Sequence, residues 1–256
     1  MPSQPHPLHP LHPLQDLLSQ LRRAKGDIMG IDIPDRLRDE DFAACLVKRY
    51  LSTDTEGHAR YSGAYFEQLG GGGDREDIAD QFTAENLLAV TMLSVRIEGY
   101  HALEILRYRT DELNGLLAQI PRNVDLQDPE AGVHIAKGGP AWRLWAAICD
   151  IEPRPERNRI GPVAAGKLLA RKRPNLLPVY DSRIKMVLSR PHTDNQWWYD
   201  LHDQLIKDPG FVQELESVRK KAGAGHMSLL RVFDVMCWMF SWDSEVRACS
   251  SQQMPS

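Results

Sequence analysis

The chain has 256 residues, 42% of them hydrophobic and 26% charged, with a formal charge of −4. This is an ordinary globular composition, long enough to build a core without disulfide or metal staples. With no apolar run near the roughly 20 residues that cross a bilayer and no basic-then-apolar signal in residues 1–14, a cytoplasmic protein without a membrane partner is expected.

In chain order, residues 1–14 carry His6, His9 and His12 at a three-residue spacing among prolines, and read as a disordered tail. Residues 15–69 read as N-terminal helices packing on the main domain. The clearest is 41–50, where Phe42, Leu46 and Val47 share a face. The four glycines at 70–73 are not followed by Lys-Ser/Thr, so a phosphate loop is not expected, and 70–79 reads as a flexible linker. The main domain is expected over 80–243. Thr83 suits an N-cap for a helix over 84–97, followed by helices at 100–108 and 111–119, the last stopped at Pro121. Beyond a polar loop come 141–150, then 161–173 up to Pro174, an extended link, and 181–188. Helices at 197–206, 211–221 and one capped by Ser228 close the domain, and 244–256 reads as a second disordered tail. No segment alternates with the period of a strand, so the fold class is mainly α, an orthogonal multi-helix array.

Four cysteines, Cys45, Cys149, Cys237 and Cys249, stand far apart without a Cys-x-x-Cys pair. Reduced thiols are expected, and a zinc finger or cysteine-held iron–sulfur cluster is excluded. His101, His134, His192, His202 and His226 show no metal-ligand spacing, so neither metal nor cofactor is expected.

The net charge conceals its distribution. Residues 154–190 hold ten Lys/Arg against Glu156 and Asp181, a charge of +8, which leaves −12 on the rest. Such a run is either a solvated face or the footprint of a phosphate-bearing partner. Within it lies Arg159-Ile-Gly-Pro-Val-Ala-Ala-Gly-Lys-Leu-Leu-Ala-Arg-Lys-Arg-Pro-Asn-Leu-Leu-Pro-Val-Tyr-Asp181. It reads as a glycine turn, a helix, a proline stop, an extended link and a carboxylate heading the next helix. Gly161 permits either a positive φ or the close approach of another backbone, and Pro162 suits a first helical turn. The free N–H groups of a helix start bind phosphate oxygens without reading sequence.

This segment resembles the helix-hairpin-helix DNA glycosylase superfamily, the class of endonuclease III and the adenine glycosylases. There a glycine hairpin opens a helix and a catalytic aspartate heads the next one. Gly161 and Asp181 are 20 positions apart, as in that family, so Asp181 matches the catalytic aspartate. Glu85-Asn-Leu-Leu-Ala-Val-Thr-Met-Leu-Ser-Val-Arg96 is similar to the family's early helix. Ser94 matches the family serine, and Arg96 stands where a glutamine fills the gap left by a flipped base. The resemblance covers residues 82–242. Three positions depart from it: Arg159 replaces the first hairpin glycine, Val163 stands where bifunctional members carry a lysine nucleophile, and Arg183 replaces the histidine after the aspartate. The Leu-Leu-Ala-Arg-Lys-Arg-Pro core is also similar to that of an uncharacterised bacterial family.

The resemblance implies a monomeric DNA-binding protein. Arg159, Gly161, Val163, Lys167, Arg171, Lys172, Arg173, Arg183, Lys185 and Arg96 would meet DNA, and Asp181 would support monofunctional base excision. Such an enzyme extrudes its target base, and an adjacent carboxylate stabilises the oxocarbenium-like sugar and orients water. Trp142, Trp145, Tyr100 and Tyr108 serve either base stacking or the core. Two alternatives stand beside this reading: a non-catalytic DNA-binding module, and an all-α interaction or regulatory protein unrelated to DNA.

Overall fold

In the computed structural model the described residues are 31–151, 159–190 and 196–252. The tail expected at 1–14 and the start of the N-terminal helices lie outside them. Among the described residues the secondary structure is helical and contains no strand beyond an isolated bridge between Thr53 and Ala59.

The helices form where caps and apolar spacing coincide. Helix α1 (Glu40–Leu51) starts at Asp39, whose carboxylate accepts from the Asp41 and Phe42 N–H groups, and it buries Phe42, Leu46, Val47 and Tyr50. Helix α2 (Ala84–Thr91) opens with a reciprocal capping box between Thr83 and Asn86. It stops short of the expected residue 97 because Ser94 turns the chain with φ 60°. Helix α3 (Gly99–Leu103) widens into a π-helical turn at Glu104–Tyr108, and α4 (Thr110–Leu117) follows. Helix α5 (Ala131–Ile135) is too short to show periodicity in the sequence. Then come α6 (Pro140–Cys149), α7 (Pro162–Lys172), α8 (Ser182–Val187), α9 (Trp197–Lys207) and α10 (Pro209–Lys221). Helix α11 (Leu229–Phe240), capped by Ser228, is buried nearly all round. Helix α12 (Asp243–Gln252) ends the described chain.

Two groups of helices pack into one body. Helix α11 is the axis of one group, contacting α1, α8, α10 and α12; α7 and α6 organise the other, contacting α2, α4 and α5. The link from Pro174 to Tyr180 joins α7 to α8 and so crosses between the groups.

Three expectations are corrected. The glycines at 70–73 are no flexible linker: Gly70, Gly71 and Gly72 adopt positive φ, and Gly73 is buried against Arg171. The C-terminal segment forms α12 rather than a tail through residue 252, because the buried Glu245 is held by Arg49 and Arg60 at 2.6 and 2.5 Å. That docking brings Cys249 to Cys45 on α1 (Cα–Cα 5.8 Å), and the two form a disulfide, whereas reduced thiols were expected. Spacing along the chain carries no information about a pair 204 residues apart. No helix among the described residues is long and apolar enough to cross a membrane.

Candidate functional site

The segment from Arg159 to Asp181 places a helix start, a carboxylate and a buried ammonium close together. Gly161 is the N-cap of α7 with φ −69° and ψ 155°, and no side chain caps this end. A positive φ is therefore not what the glycine supplies. A Cβ at 161 would meet nothing within 4 Å, so the fold leaves that space open. Pro162 occupies the first turn, and its carbonyl accepts from Trp145 Nε1 at 3.2 Å, which fixes the helix start against α6. Trp142 lies beside Trp145, both half-buried, with ring centroids 5.1 Å apart. Arg159 is exposed just ahead of α7, and Val163 is half-buried in its first turn.

Asp181 heads α8 in extended backbone. Its Oδ1 accepts from the Arg183 and Ile184 N–H groups at 3.0 and 3.3 Å. Its Oδ2 accepts from Lys167 Nζ at 3.2 Å, and the same ammonium donates to the Leu93 carbonyl at 2.8 Å. Leu93 precedes the strained Ser94 and the exposed Arg96. One ammonium thus joins α7, the head of α8 and the turn after α2, the three segments singled out in the sequence. The Lys167 side chain is 4% exposed and that of Asp181 17%, so Lys167 meets the chain's own oxygens and not phosphate.

The cationic run is corrected in the same way. Arg171, Lys172 and Arg173 are 1%, 0% and 2% exposed and cannot reach a nucleic acid. Arg171 donates to the Phe66 and Leu69 carbonyls, and Lys172 to those of Gly73 and Ile78. Arg173 donates to the carbonyls of Ile120, Ala79 and Leu117 and to Asp80 Oδ1. Ends of loops and helices leave carbonyls without partners, and a buried carbonyl without one costs about 1–3 kcal/mol. These three side chains satisfy such carbonyls, tying the glycine loop and the end of α4 to α7. Burial and the neighbouring Arg173 and Arg171 push Lys172 down to about 8. Of the cations assigned to DNA, Arg159 and Arg96 are exposed. Arg183 and Lys185 are half-buried, with Arg183 4.0 Å above the Trp242 ring and Lys185 Nζ 5.0 Å from that of Tyr180.

Sequence reasoning missed a second set of polar groups behind Asp181. Arg231 donates to Asp234 Oδ1 at 2.5 Å, to the Tyr50 hydroxyl at 2.6 Å and to the Gly63 carbonyl at 2.9 Å. Glu67 accepts from Ser228 N at 2.9 Å and Ser228 Oγ at 2.6 Å. The legible signal was an Arg/Asp pair three residues apart inside the apolar run of α11. No cluster of three or more His, Cys, Asp or Glu side chains suited to a metal occurs among the described residues.

The architecture is thus an all-helical array in which a cationic helix is anchored at one end by backbone carbonyls and linked at mid-length to the capping aspartate of its successor. The chain belongs to the family of unknown function DUF6308, which matches residues 43–241, from within α1 to the end of α11. No curated protein and no solved structure matches it.

Proposed function

We propose that this protein binds DNA in the manner of a helix-hairpin-helix glycosylase and acts as a monofunctional base-excising enzyme with Asp181 as its carboxylate. The observation that carries this reading is the junction at Lys167, which holds Asp181 beside the hairpin helix and the Arg96 turn. In this reading the uncapped start of α7 and Arg159 meet a phosphate, with Arg96, Arg183 and Lys185 flanking it. Trp142 and Trp145 offer rings beside the helix start for stacking on an extruded base. Asp181 stabilises the oxocarbenium character of the sugar and orients water. No Schiff-base step follows, since position 163 is valine and the Lys167 amine is engaged by Asp181 and Leu93. In this reading the protein acts as a monomer in the cytoplasm.

The test is incubation with duplexes carrying varied damaged or modified bases, followed by alkali. Asp181→Asn retains an oxygen for the Arg183 and Ile184 N–H groups and so preserves the cap. It is expected to fold, to bind DNA and to leave no abasic sites where the wild type leaves them. A second reading is a DNA-binding module without chemistry. It is favoured by the engagement of both Asp181 oxygens within the chain. Salt-sensitive binding with no strand breakage by either protein would select it. Absence of binding at low salt would leave only an interaction or regulatory role.

A further inference from the structure

A set of buried ionisable groups lies where α11 packs against the segment that follows Tyr61. Arg231 is a permanent cation and is 5% exposed, and Asp234 is 2% exposed. Asp234 Oδ1 accepts from Arg231, whereas Oδ2 is buried and has no hydrogen-bond partner. Glu67 is half-buried as a residue, with its carboxylate turned onto the N–H and hydroxyl of Ser228. Glu67, Ser228, Arg231 and Asp234 all line one cavity of about 10 Å³. That volume holds about one water molecule, so the cavity is no site for an organic ligand.

The surrounding charges leave one carboxyl too many. Lys167 and Asp181 act on Asp234 with opposite signs and are paired with each other. The Tyr50 hydroxyl and the Cys237 thiol are both pushed up by burial and stay neutral. Asp74, which faces Glu67, adds negative charge. The single charge of Arg231 therefore confronts Glu67 and Asp234 together, and an uncompensated buried charge is strongly unfavourable. Burial pushes Glu67 up as well, but the Ser228 N–H and hydroxyl act against that and support its carboxylate; Asp234 Oδ2 has no such donor.

We infer that Asp234 is a carboxylic acid in the folded protein, with its proton on Oδ2 in the cavity it shares with Glu67, and that loss of this proton loosens the Glu67 segment from α11. Oδ1 accepts from Arg231 in either state, so the Arg231 bond is compatible with a neutral acid. Burial outweighs the pull of Arg231 and raises Asp234 to about 8. In the unfolded chain an aspartate loses its proton near pH 4. Between about pH 4 and 8 the folded state holds one proton more than the unfolded state, so stability is greatest at the acid side of that window and falls as pH rises. The contribution of this group to the folding constant falls about tenfold per pH unit. Above the folded value the loss is complete, and the charge acts on the Glu67–Ser228 contact that holds residues 61–73 to α11.

The experiment compares urea unfolding of the full-length wild type and Asp234→Asn from about pH 5 to 9, alongside carbon-13 NMR of the wild-type aspartate carboxyls. The amide keeps the Arg231 acceptor and presents a donor to the cavity. The ratio of wild-type to variant folding constants is expected to fall about tenfold per pH unit up to about pH 8 and then level off. The Asp234 carboxyl carbon is expected to titrate near that pH. A ratio that does not change with pH, or a carboxyl carbon that titrates at or below about pH 5, overturns the inference. Should the variant fail to fold, the wild-type carboxyl titration decides alone.

Discussion

Two glycines serve α7 in opposite ways, and each makes a prediction at the scale of one residue. At Gly73 a Cβ would lie 2.4 Å from the Arg171 carbonyl oxygen, a contact with backbone that cannot yield. Gly73→Ala is expected to destabilise the protein by about 1–3 kcal/mol, the usual cost of overpacking, read as a lowered urea midpoint. At Gly161 nothing lies within reach and the backbone is ordinary N-cap geometry, so the fold tolerates a side chain. Gly161→Asp adds a capping carboxylate and should leave stability equal or higher by a few tenths of a kcal/mol. The same carboxylate covers the N–H groups offered to phosphate. Duplex binding at low salt should therefore weaken at least about tenfold, or about 1.4 kcal/mol. An unchanged affinity would remove the helix start from the interface, whatever the fate of Asp181.

At the scale of the element, α7 is a helix with two different ends. Its first turn is open to solvent, while its last turn is sealed by bonds to carbonyls as far as 105 residues away in sequence. A charge count along the chain treats both ends alike; the structure does not. If four cations, Arg159, Arg96, Arg183 and Lys185, neutralise phosphates, the slope of log binding constant against log salt is about −3 to −4, against about −7 for all eight cations assigned to DNA. Filter binding to a duplex between low and moderate salt measures it, and a slope near about −7 would contradict the burial of Lys167, Arg171, Lys172 and Arg173. The same contrast explains what the sequence made legible. Thr83, Asp181 and Ser228 cap helices as expected because a cap and the N–H groups it serves lie within three residues. Pro174 and the apolar face of α11 are equally local signals. The acceptors of Arg171, Lys172 and Arg173 are not local, and neither is the role of the glycine loop that supplies some of them. An all-α array follows from periodicity; which basic residues face inward follows only from packing. Lys167 shows both sides: its helical position was readable, its bonds to Asp181 and Leu93 were not.

For the whole molecule, the decisive connection is the one that closes the chain. Helix α12 lies beyond the residues matched by the family and packs on α1 and α11. Polar contacts and a covalent bond both hold it there. Glu245 pairs with Arg49 and Arg60, Ser250 accepts from Arg36, and Cys249 is bonded to Cys45. The two contributions differ in kind. The ion pairs act within the folded state, where the buried Glu245 carboxylate depends on Arg49 and Arg60 for its partners. The disulfide acts chiefly on the unfolded chain by closing a loop of about 200 residues, worth about 5 kcal/mol in the chain-entropy account. Reduction is therefore expected to lower the stability of the full chain by up to that amount while leaving α12 docked through Glu245. Urea unfolding with and without a thiol reductant measures the first effect. Amide hydrogen exchange along residues 243–252 measures the second, with modest loss of protection expected on reduction. Cys45→Ser should give the reduced midpoint in the absence of reductant and respond to reductant no further. Equal midpoints for oxidised and reduced wild type would show that the unfolded chain gains no freedom when the bond is opened, and would assign the docking of α12 to the Glu245 contacts alone.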